Sequence, residues 1–249
     1  MKINLLEIPH FHFERVGSTN EIAKELIDEN EIFFVTADEQ YAGKGRNGKV
    51  WEGESFQNVY LSLAIDEAKL SILNSKWMYQ VLGCLAVKSA LQESDINENI
   101  RLKYPNDVYI KSQSGDYKKI CGVLSEHSYS GNKCTETILG IGININQSEF
   151  GAELSDKATS LKILGYDIDS NKVIQKLKQS LNILLDSEES KVYSAWIDEL
   201  NLLGKKIKVI GKTEQYEVVD IDKSGTILAI NDNEEIKINN GDSIIYDLR

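Results

Sequence analysis

The chain has 249 residues, of which 41% are hydrophobic and 27% are charged, enough to bury a core in one large domain or in one large and one small domain. Its net charge is −11. Binding to a phosphate backbone depends on clustered lysines and arginines, so this acidic balance disfavours nucleic-acid binding as the main function. The three cysteines, Cys84, Cys121 and Cys134, form no CxxC pair. They predict reduced, buried thiols rather than a disulfide framework or a zinc site.

The chain shows no targeting or membrane-spanning signal. Charges are scattered through the first twenty residues, unlike the apolar core of a signal peptide. The longest apolar-leaning run, 77–87, has eleven residues, whereas about 20 are needed to cross a bilayer. We therefore expect a cytoplasmic protein that makes no membrane contact.

The first part of the chain predicts two helices and two strands. Ser18 suits the N-cap of a helix, and Glu21 would complete a capping box with it. The apolar spacing then predicts a helix to about residue 29, strands over 32–37 and 59–65, and a long helix over 71–92.

The next part predicts strands followed by helices. Pro105, Asn106 and Asp107 are typical of a turn, here between two strands within 101–110. Further strands are predicted over 119–129 and 135–146, and amphipathic helices over 171–186 and 189–201.

The last 45 residues or so, from 205 to 249, contain five short β-rich runs separated by turn residues. This pattern is typical of a small SH3-like barrel. The part before it combines helices with a mixed, largely antiparallel sheet, which places it in the α+β class. We predict a larger domain over 1–202 and a small barrel domain over 203–249.

The segment from Gly43 to Gly48, GKGRNG, combines three glycines with cations. Its spacing matches the dinucleotide fingerprint GxGxxG, but that site needs a helix directly after the loop, and no helical periodicity follows. A basic surface turn and an anion-binding loop remain as interpretations. Glycines let backbone N–H groups approach a ligand, and Lys44, Arg46 and Lys49 add positive charge, so the second interpretation predicts a phosphate ligand.

Five motifs occur in order along the chain. They are STN at 18–20, EQYAGKGRNGKVW at 39–51, KYPND at 103–107, KICGVLSE at 119–126 and GIGININ at 140–146. This order resembles the catalytic domain of the biotin–protein ligases, also called biotin–[acetyl-CoA-carboxylase] ligases. The resemblance runs from about residue 14 to the C-terminus, and it implies their class II aminoacyl-tRNA synthetase-like fold with a C-terminal SH3-like barrel.

The resemblance also implies roles for individual residues. The positions that match biotin and adenylate contacts are Ser18, Thr19, Asn20, Gln40, Gly43, Lys44, Gly45, Arg46, Lys119 and Gly122. Among them, Lys119 and Arg46 are the predicted catalytic residues. Asn106, Asn144 and Arg249 match nucleotide-binding positions. No side chain is predicted to bind a metal by itself, and Mg²⁺ would arrive with ATP, near Asn106.

Three positions differ from the usual family pattern. Lys44 and Asn47 stand where many relatives have arginine, and Tyr104 stands where tryptophan is usual. Lysine keeps the charge but lacks the bidentate guanidinium, and asparagine loses the charge. The resemblance therefore leaves open how tightly this chain retains an acyl-adenylate.

The implied reaction has two steps. The biotin carboxylate attacks the α-phosphate of ATP, which gives biotinyl-5′-AMP and pyrophosphate. A lysine of the biotin carboxyl carrier protein, in acetyl-CoA carboxylase or a related carboxylase, then displaces AMP. The first step joins two anions and needs cations and Mg²⁺ rather than a base. Because the mixed anhydride hydrolyses in water, the GKGRNG segment is expected to be a mobile lid. Asp107 is a candidate base for the second step, with turn capping as its alternative role.

Other possibilities remain open from the sequence. A lipoate or octanoate ligase would share the fold, although KYPND and GKGR favour biotin. A non-catalytic biotin sensor would not need both Arg46 and Lys119. The motifs begin near residue 14, so we expect no helix-turn-helix domain and no operator binding. A homodimer paired through edge strands also remains open.

Overall fold

The structure is a computed structural model that describes residues 3–51, 53, 55–96 and 99–248. The strands of its larger part are β1 (His10–Val16), β2 (Ile32–Gln40), β3 (Val59–Asp66), β4 (Ile100–Lys103), β5 (Asp107–Lys111), β6 (Tyr117–Ser130) and β7 (Lys133–Ile143). Its helices are α1 (Thr19–Leu26), α2 (Trp77–Gln92), α3 (Ser170–Leu185) and α4 (Glu189–Leu200). The strands form one sheet in the order β1-β2-β3-β7-β6-β5-β4.

The sheet is mixed but largely antiparallel, as predicted. Only β1 and β2 run parallel among its paired strands, and the other neighbours are antiparallel. On one face, α2 packs against β6 and against α3 and α4. On the other face, α1 packs over β2, β3 and β7, where Ala23 and Ile27 bury against Phe33 and Val35. Since both faces of the sheet are covered, the inner strand β3 is buried almost along its whole length.

The C-terminal strands form the predicted SH3-like barrel. They are β8 (Lys206–Val209), β9 (Gln215–Ile221), β10 (Ile227–Ile230), β11 (Glu235–Ile238) and β12 (Ile244–Ile245). They make a curled antiparallel sheet in the order β11-β10-β9-β8-β12. The alternating burial of β9 places Tyr216 and Val218 inside. The boundary at residue 202 stays a prediction.

The barrel packs tightly on the larger part of the molecule. Tyr104 donates its hydroxyl to the carbonyl of Gly225 at 2.7 Å, and its backbone N–H donates to the hydroxyl of Tyr246 at 2.8 Å. A Cβ on Gly241 would lie 2.2 Å from Cδ of Pro105. The tyrosine that replaces the usual tryptophan thus binds the barrel through a hydroxyl that tryptophan lacks.

Two local predictions are wrong. Helix α2 begins at Trp77 rather than at residue 71, and Ser71 has a φ of 43°, which is not helical. Leu73 is nevertheless buried, so the apolar spacing before the helix reflects burial and not helical conformation. Ser18 is the N-cap of α1, but its side chain makes no capping hydrogen bond, and Glu21 pairs with Lys44 instead.

Candidate active site

A cavity of about 220 Å³ collects residues from all five sequence motifs. It opens between α1, β6, β7 and residues 43–51, which we call the glycine loop. The predicted site residues that line it are Ser18, Thr19, Asn20, Gln40, Lys44, Gly45, Arg46, Asn106, Lys119, Gly122 and Asn144. Predicted site residues as far apart in sequence as Ser18 and Asn144 therefore meet at one place.

Gly43, Lys44 and Arg249 differ from the other predicted site residues, each in its own way. Gly43 is not on the lining; its carbonyl accepts from the N–H of Trp51 at 2.9 Å, and a Cβ on it would lie 2.6 Å from the Trp51 carbonyl oxygen. Gly43 therefore lets the glycine loop close on itself. The amine of Lys44 is paired with Glu21 on α1, which raises its pKa through that hydrogen bond. Arg249 lies outside the described residues.

Gln40 is oriented by the start of α1. Its Oε1 accepts from the backbone N–H of Thr19 at 2.7 Å and from the Thr19 hydroxyl at 2.9 Å. Because Oε1 faces these two donors, the assignment of oxygen and nitrogen in this amide is fixed by the network. Gln40 therefore keeps its Nε2 as a hydrogen-bond donor beside the cavity.

Asn20 is held by two opposite partners. Its Oδ1 accepts from Ser62 Oγ at 2.6 Å, and its Nδ2 donates to Glu126 Oε2 at 2.7 Å. Lys24 donates to the other oxygen of Glu126, also at 2.7 Å. Burial alone would raise the pKa of Glu126, but the hydrogen bonds from Lys24 and Asn20 lower it overall. The carboxylate thus stays ionised and fixes which end of Asn20 is the donor.

The opposite part of the cavity is cationic. Arg46 donates to Asn106 Oδ1 at 3.1 Å, and Asn106 is itself held by its bond to the Val123 carbonyl at 2.7 Å. Lys119 lies 2.6 Å from Asp107 Oδ1. Two cations from distant motifs are therefore in place for an anion, and each is positioned by a residue of the KYPND turn.

Glycines form the floor of the cavity, with Trp51 lying on it. A Cβ on Gly142 would be 2.7 Å from a ring carbon of Trp51, and a Cβ on Gly122 would meet another ring carbon at the same distance. The Nζ of Lys119 is 5.4 Å from the Trp51 ring centroid. The half-buried Trp51 ring therefore lines the cavity and is not part of the hydrophobic core.

Asn144 has an unused acceptor at the cavity wall. Its Nδ2 donates to the carbonyl of Thr159 at 3.1 Å. Its Oδ1 is buried and has no hydrogen-bond partner among the described residues. A buried acceptor without a partner costs free energy, so this oxygen is suited to a donor supplied by a ligand.

The glycine loop contains one 3₁₀ turn at Arg46–Gly48. In the described part of the chain, the next helix after this turn is α2 at Trp77. A dinucleotide site needs a helix whose N-terminus begins at the loop, so the geometry agrees with rejecting that interpretation. Arg46 lies on the cavity lining, which is consistent with the anion-binding interpretation.

Several lining or supporting residues carried no clear signal in the sequence. Ser62 sits in an ordinary strand pattern, and Asp242 lies in the barrel, far along the chain from the other lining residues. Glu126 ends a recognised motif, but its contact with Asn20 could not be read from spacing. Each of these roles depends on pairing between strands or domains.

A sequence model of the Biotin/lipoate A/B protein ligase family matches residues 12–144. That is more than half of the chain, and the chain belongs to this family. The resemblance noted from the five motifs is thereby confirmed at the level of the family, as is the fold that it implied.

Individual relatives are consistent with this assignment. The chain is 34% identical over 167 residues to the Bifunctional ligase/repressor BirA of Bacillus subtilis, covering 65% of this chain and 49% of that protein. It spans about half the length of that relative. It is 26% identical over 231 residues to the biotin–[acetyl-CoA-carboxylase] ligase of Paracoccus denitrificans, covering 86% of this chain and 91% of that protein.

Among solved structures, a biotin protein ligase from Aquifex aeolicus in complex with biotin and ATP matches with a TM-score of 0.72 and 26% identity, covering 95% of this chain and 97% of that chain. Among the helices that the structure describes, none combines the length and the hydropathy of a membrane span. Within the described residues, no three His, Cys, Asp or Glu side chains are grouped so as to hold a metal ion.

Proposed function

We propose that this chain is a biotin–protein ligase that forms biotinyl-5′-AMP from biotin and ATP and transfers biotin to a lysine of a biotin carboxyl carrier protein. One observation carries the proposal: a single cavity has neutral hydrogen-bonding groups around Asn20, beside Gly140, and the cations Arg46 and Lys119, each held by a residue of the KYPND turn, over a glycine floor. Biotin has the matching chemistry, with a neutral ureido ring at one end and a carboxylate at the other.

At the neutral end, Gln40 and Asn20 would bind the ureido ring. The amide of Gln40 retains a donor for the ureido oxygen, and the fixed Asn20 retains one N–H and one lone pair. A lipoyl or octanoyl group has no N–H or carbonyl at this end and would leave these buried groups unpaired. Since unpaired buried polar groups are costly, the geometry favours biotin over lipoate.

At the cationic end, Arg46 and Lys119 would stabilise the first step. A carboxylate oxygen of biotin bonds to the α-phosphorus, and the bond from phosphorus to the pyrophosphate oxygen breaks. Charge on the phosphoryl oxygens must be balanced in the transition state. Asp107 is paired with Lys119 at 2.6 Å, so we propose that Asp107 orients this lysine, and we assign no base for the second step.

ATP and Mg²⁺ fit the remaining lining. The unpartnered Oδ1 of Asn144 suits the amino group of adenine. The amide oxygen of Asn106 and the carboxylate of Asp107 are oxygen donors of the type that Mg²⁺ accepts, but both already contact cations. We therefore propose that Mg²⁺ is held mainly by the triphosphate, where it neutralises phosphoryl charge.

The glycine loop would act as a lid in this reaction. Trp51 lies against the glycine floor, and the cavity of about 220 Å³ is smaller than the roughly 300–1,000 Å³ that is usual for ligand pockets. The loop would therefore have to lift for substrates to enter. Closing it again would keep water from the acyl-adenylate.

The decisive test is mass spectrometry of a biotin carboxyl carrier fragment after incubation with this protein, biotin and MgATP. We expect a mass increase of one biotin, which requires both substrates. Lys119→Ala should abolish the increase within the assay time, whereas Lys119→Arg should retain part of it because the charge remains. A carrier fragment that stays unmodified in the presence of this protein, biotin and MgATP would contradict the proposal.

Two further measurements separate the alternatives. In an adenylation assay, excess lipoate should not compete with biotin, and effective competition would favour a lipoate or octanoate ligase. Calorimetry that shows biotin binding, together with no AMP formed from ATP, would favour a non-catalytic sensor.

Arg46→Gly should form the adenylate but release it faster, and unchanged release would contradict the role of Arg46 in covering it.

A further inference from the structure

Among the described residues of the barrel, Asp242 lines the cavity and brings a carboxylate to it. Its Oδ2 accepts from the side-chain amide of Asn47 at 2.8 Å, and its Oδ1 accepts from the amine of Lys49 at 2.7 Å. These partners are 195 and 193 residues away in sequence. A single side chain thus joins the C-terminal barrel to the tip of the glycine loop.

The barrel holds Asp242 in a fixed place. The backbone N–H of Asp242 donates to the side chain of Asn240 at 3.1 Å, which caps a short 3₁₀ turn. The preceding Gly241 is buried against the KYPND turn, where a Cβ would lie 2.2 Å from Pro105. Because the backbone beside Asp242 packs on the larger part of the molecule, the carboxylate has a defined position relative to the cavity.

The glycine loop presents two donors to this carboxylate. Asn47 has φ 55° and ψ 36°, a left-handed conformation that asparagine adopts more readily than most residues. The turn is closed by hydrogen bonds from the Gly45 N–H to the Lys49 carbonyl at 2.7 Å and from the Lys49 N–H to the Arg46 carbonyl at 3.1 Å. This geometry directs the Asn47 amide and the Lys49 amine to the same partner.

The contact is charged but partly open to solvent. The hydrogen bond from Lys49 lowers the pKa of Asp242, burial opposes this, and the bond from Asn47 adds to it. The side chains of Lys49 and Asp242 are 65% and 43% exposed. An exposed pair with a second hydrogen bond, here from Asn47, changes an equilibrium by only about two- to fivefold, which suits a contact that has to break and form again in each reaction cycle.

We infer that Asp242 is a positioning residue that holds the glycine loop closed over the cavity, so that the barrel sets how long the loop stays closed. Asn47, which departs from the family pattern, supplies a neutral bond to this carboxylate in place of an arginine charge. That Asp242 holds the glycine loop closed does not depend on which reaction the protein catalyses. The effect of this closure on the acyl-adenylate rests on the proposed function.

Hydrogen exchange of the free protein tests the closure directly. The amides of Gly45, Lys49 and Trp51 are hydrogen-bonded within the loop and report its opening. In Asp242→Ala, we expect them to exchange about two- to fivefold faster, while amides in the barrel strands keep their rates. Asp220→Ala is the matched control, because it removes another exposed barrel carboxylate that does not line the cavity.

Charge reversal separates positioning from damage to the barrel. Lys49→Asp alone should also speed exchange in the loop, and the double variant Asp242→Lys with Lys49→Asp should restore much of the protection. Unchanged loop exchange in Asp242→Ala would overturn the inference. Faster exchange throughout the barrel, or no recovery in the double variant, would overturn it as well, because the effect would then not pass through this contact.

A kinetic measurement adds the functional consequence. With biotin and MgATP but no carrier, Asp242→Ala should release biotinyl-AMP about two- to fivefold faster than the unaltered protein. If the unaltered protein forms no adenylate, the proposed function fails, and the exchange experiment still decides the closure. If adenylate forms and its release is unchanged in Asp242→Ala, the barrel does not control its retention.

Discussion

Glu126 offers a sharp test of how the neutral end of the cavity works. Its two carboxylate oxygens accept separately from Asn20 and from Lys24. In Glu126→Gln, only one oxygen remains an acceptor, and the new NH₂ group faces one of these two donors. Asn20 can relieve the conflict by exchanging its amide oxygen and nitrogen, since the hydroxyl of Ser62 can accept as well as donate. The group presented to the ligand is then inverted.

The size of the effect follows from the buried position of Asn20, which is 4% exposed. A buried donor or acceptor that loses its partner costs about 1–3 kcal/mol. Because a ligand that matches the original orientation of Asn20 would meet the wrong group, its affinity should fall about five- to 150-fold. The fold should remain intact, because glutamine has nearly the shape of glutamate.

Steady-state kinetics with biotin as the varied substrate would measure this. We expect KM for biotin to rise within that range, with little change in kcat or in KM for ATP. Lys24→Gln is the matched control: it removes the outer, partly exposed partner and leaves the bond between Asn20 and Glu126. A folded Glu126→Gln protein with unchanged KM for biotin would refute the view that this carboxylate fixes Asn20 for the ligand.

Three further predictions concern ATP, the barrel and pH. Asn144→Asp places a carboxylate oxygen against the Thr159 carbonyl and should weaken ATP binding about tenfold by calorimetry; unchanged affinity would argue against the nucleotide role. Tyr104→Phe removes the hydroxyl bond to Gly225 and should lower the free energy of unfolding by about 1 kcal/mol in urea titrations, and an unaltered midpoint would contradict this. Burial lowers the pKa of His127 below 6.5, so the unfolded chain binds more protons as the pH falls through that value, and stability decreases there. His127→Gln should therefore lose less stability between about pH 7.5 and pH 5.5 than the unaltered protein, and equal losses would exclude this histidine as a cause.

Sequence patterns that involve residues close together in the chain predicted most helices and strands well. The alternation in β3, the turn at Pro105 to Asp107 and the spacing of α3 depend on side chains a few residues apart, and these appear close to their predicted positions. The start of α2 was predicted six residues early, because Leu73 is buried without being helical. Apolar spacing reports which side chains avoid water, and only indirectly the backbone conformation.

The site followed a similar division. The resemblance of the five motifs identified Gly122, the two cations and Asn20, because each of these residues lies within a short run of recognisable sequence. Contacts across the sheet or between domains leave no such spacing. Ser62, Glu126 and the true place of Trp51 emerged from strand pairing, which brings Gly122 and Gly142 side by side beneath one ring.

The sequence by itself therefore determined the family, the class of fold and eleven of the residues that line the cavity. The tertiary structure decided how those residues are oriented and what holds the glycine loop. Asp242 shows the physical reason: its partners Asn47 and Lys49 are nearly two hundred residues away, and their contact exists only because the barrel packs against the turn at Pro105. The local sequence around Asp242 does not predict this contact. It forms because the barrel packs against the larger part of the molecule.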